Sequence, residues 1–414
     1  MSKIKLALVA LSIIMLSAVS LFPGKARAQK KIYIGGSMAL TGAYAENVAA
    51  VLTAFQDYAA YVNETKRLAP WRDEKFPPDI TLEVLWRDDE LKPAKALSIY
   101  EELKAKGMLV FHVSGSPQAL ALKDRLNEDR MGTVSFASGS YLLKPPQTIF
   151  THYPIYTDSL AAIADWFKEN WKETKKPRVA YLTADNAMGR SIEIPQMETY
   201  LKKVGYEFVG SQYVPLLPTT PPTTQLAWLK KNEVDLALGI MINPGAQPTI
   251  KEAIRLDMGP HLGYKIAFGF GGACPSAMFE RDMGTQGNGV LIAGSQPTWG
   301  RDLPGVKFST ELQKKVHPDK WVSDGSYFSG MAEVMTQVEA LRLALEKIPF
   351  EKLTTDAVLE NGFYRIQNLN TGGMTSTPLS YGPDKVEGVH AVGVDQMRNG
   401  KAVRLGVWPC HHLY

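Results

Sequence analysis

The sequence predicts an α/β protein built from two lobes, each a doubly wound parallel sheet covered by helices. Short apolar segments alternate with helical patterns along most of the chain, and these segments are nearly continuous, as strands buried on both faces are. The same alternation begins again after about residue 154. With 414 residues, 45% of them hydrophobic and 21% charged, the chain is long enough for two or three globular domains.

The N-terminal segment has the pattern of a secretory signal peptide. Lys3 and Lys5 precede an apolar run over residues 6–22, and a small-residue end (ARA) follows at residues 26–28. We therefore expect residues 1–28 to be a cleaved signal peptide and the mature protein to reach the periplasm. The alternative is an uncleaved anchor, which the short run disfavours because a bilayer core is about 30 Å thick.

Charge argues against one class of partner. The four basic residues of the segment 1–28 account for the whole excess of 46 Lys and Arg over 42 Asp and Glu, so the expected mature chain is neutral. A neutral chain has no electrostatic footprint for nucleic acid or anionic lipid. We expect no nucleic-acid partner and, since no feature suggests assembly, a monomer.

In the first lobe, one segment shows clear helical periodicity. Apolar residues recur there at alternating spacings of four and three, which places them on one face of a helix: Val48, Leu52, Phe55, Ala59 and Val62. Predicted strands cover residues 31–36, 81–86, 108–113 and 133–137, and the other predicted helices cover residues 93–106 and 116–128.

The second lobe repeats the pattern and ends differently. Predicted strands cover residues 178–183, 206–214, 234–242, 265–270 and 290–295, and predicted helices cover residues 158–171, 191–204, 225–231, 248–257 and 327–347. Short antiparallel strands are then expected at residues 364–367, 390–394 and 402–408, separated by turns such as Asn399-Gly400.

No motif for covalent chemistry is present, so we expect no enzyme and no cofactor. The chain lacks HExxH, a P-loop, a G-x-S-x-G elbow and C-x-x-C. The glycines at residues 269–272 predict a tight turn and not a dinucleotide-binding motif. His112 lies inside an apolar strand and reads as a hydrogen-bonded core residue. Cys410, His411 and His412 lack metal-ligand spacing, so no metal is expected. Cys274 and Cys410 either form one disulfide after export or stay as two free thiols.

Hydroxyl-rich loops follow three predicted strands of the first lobe, at residues 37–42, 114–116 and 138–140. In open parallel sheets, ligands bind beyond the carboxyl ends of strands, where loops lead into helix N-termini. Serine hydroxyls and free backbone N–H groups there can hold a carboxylate or an amide without a cationic side chain. The alternative is that these serines only cap helices.

These features resemble the branched-chain amino acid (leucine/isoleucine/valine-binding) type of periplasmic solute-binding protein, a component of ABC importers. The resemblance rests on the signal peptide, the opening IYIGGSMALTGAYAEN, the WRDD segment at 86–89 and the stretch DNAMG at 185–189, and it spans the mature chain. It implies the type I periplasmic binding protein fold, with a three-segment hinge near residues 151–154, 287–291 and 375–378. It further implies an N-terminal lobe of residues 29–153 plus 292–374 and a C-terminal lobe of residues 154–291 plus 375–414.

The resemblance also implies a ligand site between the lobes. By position, the first lobe would grip a carboxylate, and Tyr44 and Phe270 would add aromatic walls. The predicted site residues are Tyr44, Ser114, Gly115, Ser116, Ser138, Ser140, Asn186, Met188, Met241, Phe270 and Gly271.

The chain departs from the amino-acid binders of this type. Met188 replaces a tyrosine, aromatic side chains are missing near Met241, and Gly271-Gly272 replaces an acidic residue that would pair with a ligand ammonium group. The expected ligand is therefore branched-chain amino acid-like, or an organic acid or amide with an apolar or aromatic body. The expected function is capture of that solute by closure of two lobes and delivery to an inner-membrane ABC permease. The alternatives are a ligand-sensing domain of a regulatory system and a periplasmic hydrolase.

Overall fold

The computed structural model describes residues 30–294, 296–322 and 325–414, so the predicted signal peptide lies outside the described residues. The strands are β1 Lys30–Met38, β2 Ile80–Asp88, β3 Met108–Val113, β4 Thr133–Val134, β5 Ile149–Phe150, β6 Arg178–Ala184, β7 Glu207–Val214, β8 Leu236–Gly239, β9 Ala267–Phe270, β10 Leu291–Gly294, β11 Ala391–Arg398 and β12 Lys401–Pro409.

The helices are α1 Ala45–Thr65, α2 Pro93–Ala105, α3 Ser116–Glu128, α4 Ser140–Leu143, α5 Tyr156–Asn170, α6 Ala187–Arg190, α7 Pro195–Val204, α8 Thr223–Lys231, α9 Asn243–Arg255, α10 Ser276–Met283, α11 Pro304–Val316, α12 Ser326–Leu345 and α13 Thr355–Asn361. Short 3₁₀ helices occupy Gly284–Gly287, Phe350–Lys352 and Phe363–Arg365. Among the described residues, no helix combines the length and the apolar character needed to cross a bilayer.

The first sheet is parallel throughout, with the order β2-β1-β3-β4-β5. The second sheet repeats this order as β7-β6-β8-β9-β10 and adds β11 and β12 antiparallel at its edge. Two doubly wound parallel sheets were predicted, and this fold class is confirmed. In both sheets the strand order reverses beside the first strand, the position at which such sheets bind ligands.

The antiparallel hairpin predicted near the C-terminus is confirmed. Strands β11 and β12 pair over their whole length, and Asn399 and Gly400 join them with φ values of 51° and 74°. Two positive φ values are what a two-residue hairpin turn requires, and Asn-Gly adopts them at little cost.

The predicted strand at residues 364–367 is wrong. The chain there forms the 3₁₀ helix Phe363–Arg365, and Phe363 stacks on Phe150 with ring centroids 4.7 Å apart. Phe363 and Ile366 are both buried, and a spacing of three places both on one side of a 3₁₀ turn. The helices α4, α6, α10, α11 and α13 were not predicted.

Helix α1 contacts the cores of both lobes. Phe55, Ala59 and Val62 pack in the core of the first sheet, whereas Val48 and Leu52, two turns earlier, pack in the core of the second sheet. The predicted face of this helix is therefore buried throughout, but against two partners. The N-terminal end of α1 consequently lies where the lobes meet.

Helix α12 lies against α1 at a close backbone approach. A Cβ atom on Gly330 would lie 2.8 Å from both Cα and O of Val51, so only glycine fits there without movement. This approach brings Ser326 and Ser329, on the first turns of α12, to the junction between the lobes.

Along the residues that the structure describes, the chain passes between the lobes at three places, and two of these differ from the predicted hinge segments. The first passage follows β5, at the predicted residues 151–154. Strand β10 belongs to the second sheet, so the next passage follows Gly294 and not residues 287–291. Tyr381 and Val389 pack in the first core, so the last passage lies near residue 390 and not at 375–378. The lobe boundaries predicted at 291/292 and 374/375 move accordingly.

Candidate functional site

A cavity lies between the carboxyl ends of the two sheets. It measures about 40 Å³ for the centres of water-sized spheres. The side chains and backbone around it come from both lobes and from the first passage between them. They are Tyr44, Asn47, Val51, Ser114, Ser116, Phe136, Tyr153, Tyr156, Met188, Ile242, Gly272, Ala273, Pro275, Ser326 and Ser329.

The lobes touch around this cavity. The Tyr44 hydroxyl lies 3.7 Å from the Met188 sulfur, and Asn47 Nδ2 lies 3.8 Å from the Met278 sulfur. Further out, Arg281 Nη1 pairs with Glu46 Oε1 at 2.6 Å. The structure therefore has a closed arrangement in which groups of both lobes reach the same space.

On the first lobe, the turn between β3 and α3 presents Ser114 and Ser116. Gly115 is the N-cap residue of α3, and no side chain caps this helix. A Cβ on Gly115 would lie 2.2 Å from Gln118 Oε1, so glycine lets the turn close tightly. The serines are therefore not capping the helix, and α3 begins at the cavity with first-turn N–H groups that have no intrahelical partner.

Helix α12 adds a second N-terminus at the cavity. Its N-cap residue is Gly325, again without a capping side chain, and its residues Ser326 and Ser329 line the cavity. Two helices of 13 and 20 residues thus begin at the same space. Their positive dipole ends favour a negatively charged guest.

Three tyrosines, Tyr44, Tyr153 and Tyr156, form an aromatic wall. Burial raises the pKa of Tyr44 and of Tyr156, so both phenols are neutral hydrogen-bond donors at physiological pH. The neighbouring Ser116 hydroxyl lowers the pKa of Tyr156 and so offsets part of the effect of burial.

The second lobe contributes an apolar surface. Met188, Ile242, Ala273 and Pro275 face the cavity, together with the backbone of Gly272. No Asp, Glu, Lys or Arg is among the described residues that line it. The site can therefore offer hydroxyls, helix N-termini and apolar surface, and nothing in its lining can neutralise an ammonium group.

Four of the predicted site residues, Tyr44, Ser114, Ser116 and Met188, line the cavity. Two others miss it by one position, because side chains alternate in direction along extended backbone. Ile242 lines the cavity while Met241 is buried in the core; Gly272 lines it while a Cβ on Gly271 would lie 2.5 Å from Ile240, inside the second lobe.

The remaining predicted residues do not line the cavity. Phe270 is buried beside Phe279, at 6.5 Å between ring centroids. Asn186 caps α6 by accepting a hydrogen bond from Gly189 N at 2.9 Å. Gly115 forms the turn, and Ser140 begins α4. Ser138 is fully buried behind Tyr156, whose backbone N–H donates to its carbonyl oxygen at 3.2 Å.

The other residues around the cavity were not predicted, because no local sequence motif marks most of them as site residues. Phe136 lies two residues before the predicted loop 138–140, which is a signal that could have found it. Ser326 and Ser329 lie far away in sequence and reach the site only through the packing of α12 on α1.

The two cysteines are free thiols. Cys274 is buried, its sulfur 2.9 Å from Asn243 Oδ1, and burial raises the pKa of its thiol and of the Cys410 thiol. Of the two alternatives, the disulfide is absent. His411 Nε2 lies 2.8 Å from Asp165 Oδ2. Within the described residues, no group of three or more His, Cys, Asp and Glu side chains is arranged to hold a metal ion.

Comparison with known proteins bears on this architecture. The sequence profile of the periplasmic binding protein family matches residues 31–392. No curated protein sequence matches significantly.

Solved structures with the same fold are described with different solutes. A branched-chain amino acid ABC transporter protein from Thermus thermophilus with bound valine is 20% identical, with a TM-score of 0.79 over 93% of this chain and 97% of that one. A fatty acid ABC transporter substrate-binding protein from Thermomonospora curvata is 22% identical, with a TM-score of 0.75 and 93% of both chains covered. An ABC transporter solute-binding protein from Rhodopseudomonas palustris BisB5, in complex with 3,4-dihydroxybenzoic acid, is 17% identical, with a TM-score of 0.73 over 92% of this chain and 98% of that one. At these identities the likeness establishes the fold.

Proposed function

The chain belongs to the periplasmic binding protein family, and from that premise we propose that it is the exported solute-binding component of an ABC importer. Its guest is a small carboxylate with an apolar or aromatic body and without an ammonium group. The observation that carries this choice is the lining of the cavity: hydroxyls and helix N-termini on one side, apolar side chains on the other, and no acidic side chain.

The mechanism follows from a site divided between two lobes. Hydroxyls of the first lobe hold the carboxylate, and the apolar surface of the second lobe covers the body of the guest. Because contacts from both lobes exist only in the closed arrangement, binding shifts the population toward it. Closure also buries polar groups that only a matching guest satisfies, which gives selectivity. An inner-membrane permease then receives the closed, loaded protein.

Thermal unfolding with a panel of solutes tests the class of guest. The panel is valine, octanoate, 3,4-dihydroxybenzoate and 3,4-dihydroxybenzamide, each at the same concentration. A carboxylate present at about 100 times its Kd stabilises the folded state by about 2.7 kcal/mol, which raises the Tm by several degrees. We expect this for 3,4-dihydroxybenzoate or octanoate and not for valine. A shift with valine alone would contradict the proposal.

Small-angle scattering on the same samples tests closure. We expect the radius of gyration to fall when the stabilising carboxylate is added and to stay constant with valine. A stabilising solute that leaves the radius unchanged would place its binding outside the cleft. Mass spectrometry of the recovered solute separates carriage from hydrolysis, because a carried solute returns with its mass unchanged.

A further inference from the structure

Beneath the cavity lies a buried cluster of three ionisable side chains, Glu333, His112 and His152, here called the Glu–His cluster. All three are fully buried. His112 Nδ1 lies 2.6 Å from Glu333 Oε2, and His152 Nδ1 lies 3.7 Å from Glu333 Oε1. The members come from β3, from the first passage between the lobes and from α12, so the fold assembles them.

Two serines connect this cluster to the cavity. His112 Nε2 lies 3.1 Å from Ser114 Oγ, and His152 Nε2 lies 2.9 Å from Ser329 Oγ. Both serines line the cavity. Each imidazole therefore faces Glu333 with one nitrogen and a cavity-lining serine hydroxyl with the other. Ser114 Oγ also donates to the Ser37 carbonyl oxygen at 3.1 Å, so a carboxylate that accepts from Ser114 must replace that hydrogen bond.

The number of protons that the Glu–His cluster must hold when an anionic ligand binds can be counted from its hydrogen bonds. A serine hydroxyl has one proton, so a serine that donates to a carboxylate must accept from its histidine. Each Nε2 then carries a proton, and each Nδ1 needs another to bond a Glu333 oxygen. When Nδ1 and Nε2 of both histidines carry a proton, both imidazoles are cationic. Together with the Glu333 carboxylate, they give the cluster a net charge of +1, which balances the single negative charge of the ligand.

One of these four hydrogen bonds, between His152 and Glu333, is not formed in the structure. His152 Nδ1 and Glu333 Oε1 face each other as buried atoms, and neither has a hydrogen-bond partner. Burial and the neighbouring His112 lower the pKa of His152 to about 3, and burial raises the pKa of Glu333. A proton on either atom, together with a small approach from 3.7 Å, would let the two form a hydrogen bond.

We propose that the Glu–His cluster takes up a proton when a carboxylate binds, and so supplies the positive charge that the cavity lining lacks. This inference rests on the proposed function, because it requires an anionic guest beside Ser114 and Ser329. The guest raises the proton affinity of the cluster, so carboxylate affinity falls as pH rises, by at most about tenfold per pH unit for one proton.

Among the described residues, the surroundings of the cluster supply no other positive charge for this role. Within the described residues, the ion-pair partners of Glu333 are the two histidines. Aromatic rings of Phe55 and Phe136 flank His112. Other ionisable groups on the elements packed around the cluster include Asp57, Tyr153, Tyr327, Tyr381 and Glu387.

These neighbouring groups either form hydrogen bonds with residues outside the cluster or are neutral. Asp57 is held by His317 and Tyr327, at 2.8 Å each. The Glu387 carboxylate accepts from the Tyr414 hydroxyl at 2.7 Å. Burial and the charge of Glu333 raise the pKa of Tyr381, which keeps it neutral.

Calorimetry on the unmodified protein tests the proposal. Binding of 3,4-dihydroxybenzoate is measured at one pH in phosphate and in Tris, whose ionisation enthalpies differ, and the difference in heat gives the number of protons taken up. We expect uptake approaching about one proton for this carboxylate and about none for 3,4-dihydroxybenzamide. Equal uptake for both compounds would overturn the proposal, because the proton would not follow the guest charge.

A variant locates the proton. His152→Gln keeps a donor toward Ser329 but cannot titrate, so we expect it to lose the uptake and to bind the carboxylate on the order of tenfold more weakly. The matched control is His317→Gln, which removes the histidine of a separate pair with Asp57 and should keep the uptake. If His152→Gln does not fold, the measurement on the unmodified protein still decides.

The outcomes separate this inference from the proposed function. Carboxylate binding without proton uptake, or uptake that survives in His152→Gln, would overturn the inference and leave the proposed function intact. Failure of octanoate and of 3,4-dihydroxybenzoate to bind at all would overturn the proposed function, and the inference with it.

Discussion

Replacing Gly272 with aspartate is expected to weaken the binding of 3,4-dihydroxybenzoate on the order of 100-fold or more. The φ of Gly272 lies outside the left-handed region, and the nearest atoms to an added Cβ, on Tyr153 and Tyr156, lie 3.7 Å away, so a side chain fits. A second carboxylate about 4 Å from the guest costs about 4 kcal/mol at an effective dielectric constant near 20. Equilibrium titration measures the loss.

The control is Gly272→Asn, which has nearly the same size and no charge. We expect it to change the affinity for 3,4-dihydroxybenzoate less than about tenfold, because it adds bulk without like-charge repulsion. The same Gly272→Asp protein should gain affinity for valine, whose ammonium group the new carboxylate can pair. If the aspartate and asparagine variants lose affinity equally, the electrostatic account of the second lobe is wrong.

Removing two hydroxyls from the first lobe is expected to have the next largest effect. Ser116→Ala combined with Tyr156→Phe deletes two donors at the cavity and leaves the apolar surfaces in place. Each buried hydrogen bond to a charged group contributes about 1.5–3 kcal/mol, so the double variant should bind 3,4-dihydroxybenzoate at least about tenfold more weakly. The two side chains interact, so the single effects need not add.

Ser140→Ala is the matched control for this experiment. Ser140 was a predicted site residue, but it begins α4 and does not line the cavity, so the variant should bind like the unmodified protein. Unchanged affinity in the double variant would show that the first lobe does not hold the carboxylate through these hydroxyls. A loss in Ser140→Ala as large as in the double variant would move the site toward α4.

The repeated strand–helix pattern was sufficient to predict the fold, because each buried strand is apolar and each helix shows its period locally. The apolar face from Val48 to Val62 predicted α1, although no local pattern could tell that Val48 and Phe55 pack in different cores. The strand predicted at 364–367 failed because β-rich residues at a spacing of three also suit a 3₁₀ turn.

The site could be predicted only where it follows a strand directly. Ser114 and Ser116 come just after β3, and their loop composition marks them. Met241 and Gly271 were each one position from the residues that face the cavity, because direction along extended backbone depends on register. Ser329 and Glu333 could not be predicted as site residues, because they come near Ser114 and His112 only when segments about 220 residues apart fold together.

The central claim is that the cleft holds a small carboxylate without an ammonium group, gripped by hydroxyls and helix N-termini. The most direct measurement is native mass spectrometry of the protein purified from its own host, followed by identification of the released solute. We predict a carboxylic acid with an apolar or aromatic body, in one copy per chain. Release of an α-amino acid or of an uncharged sugar would contradict the claim.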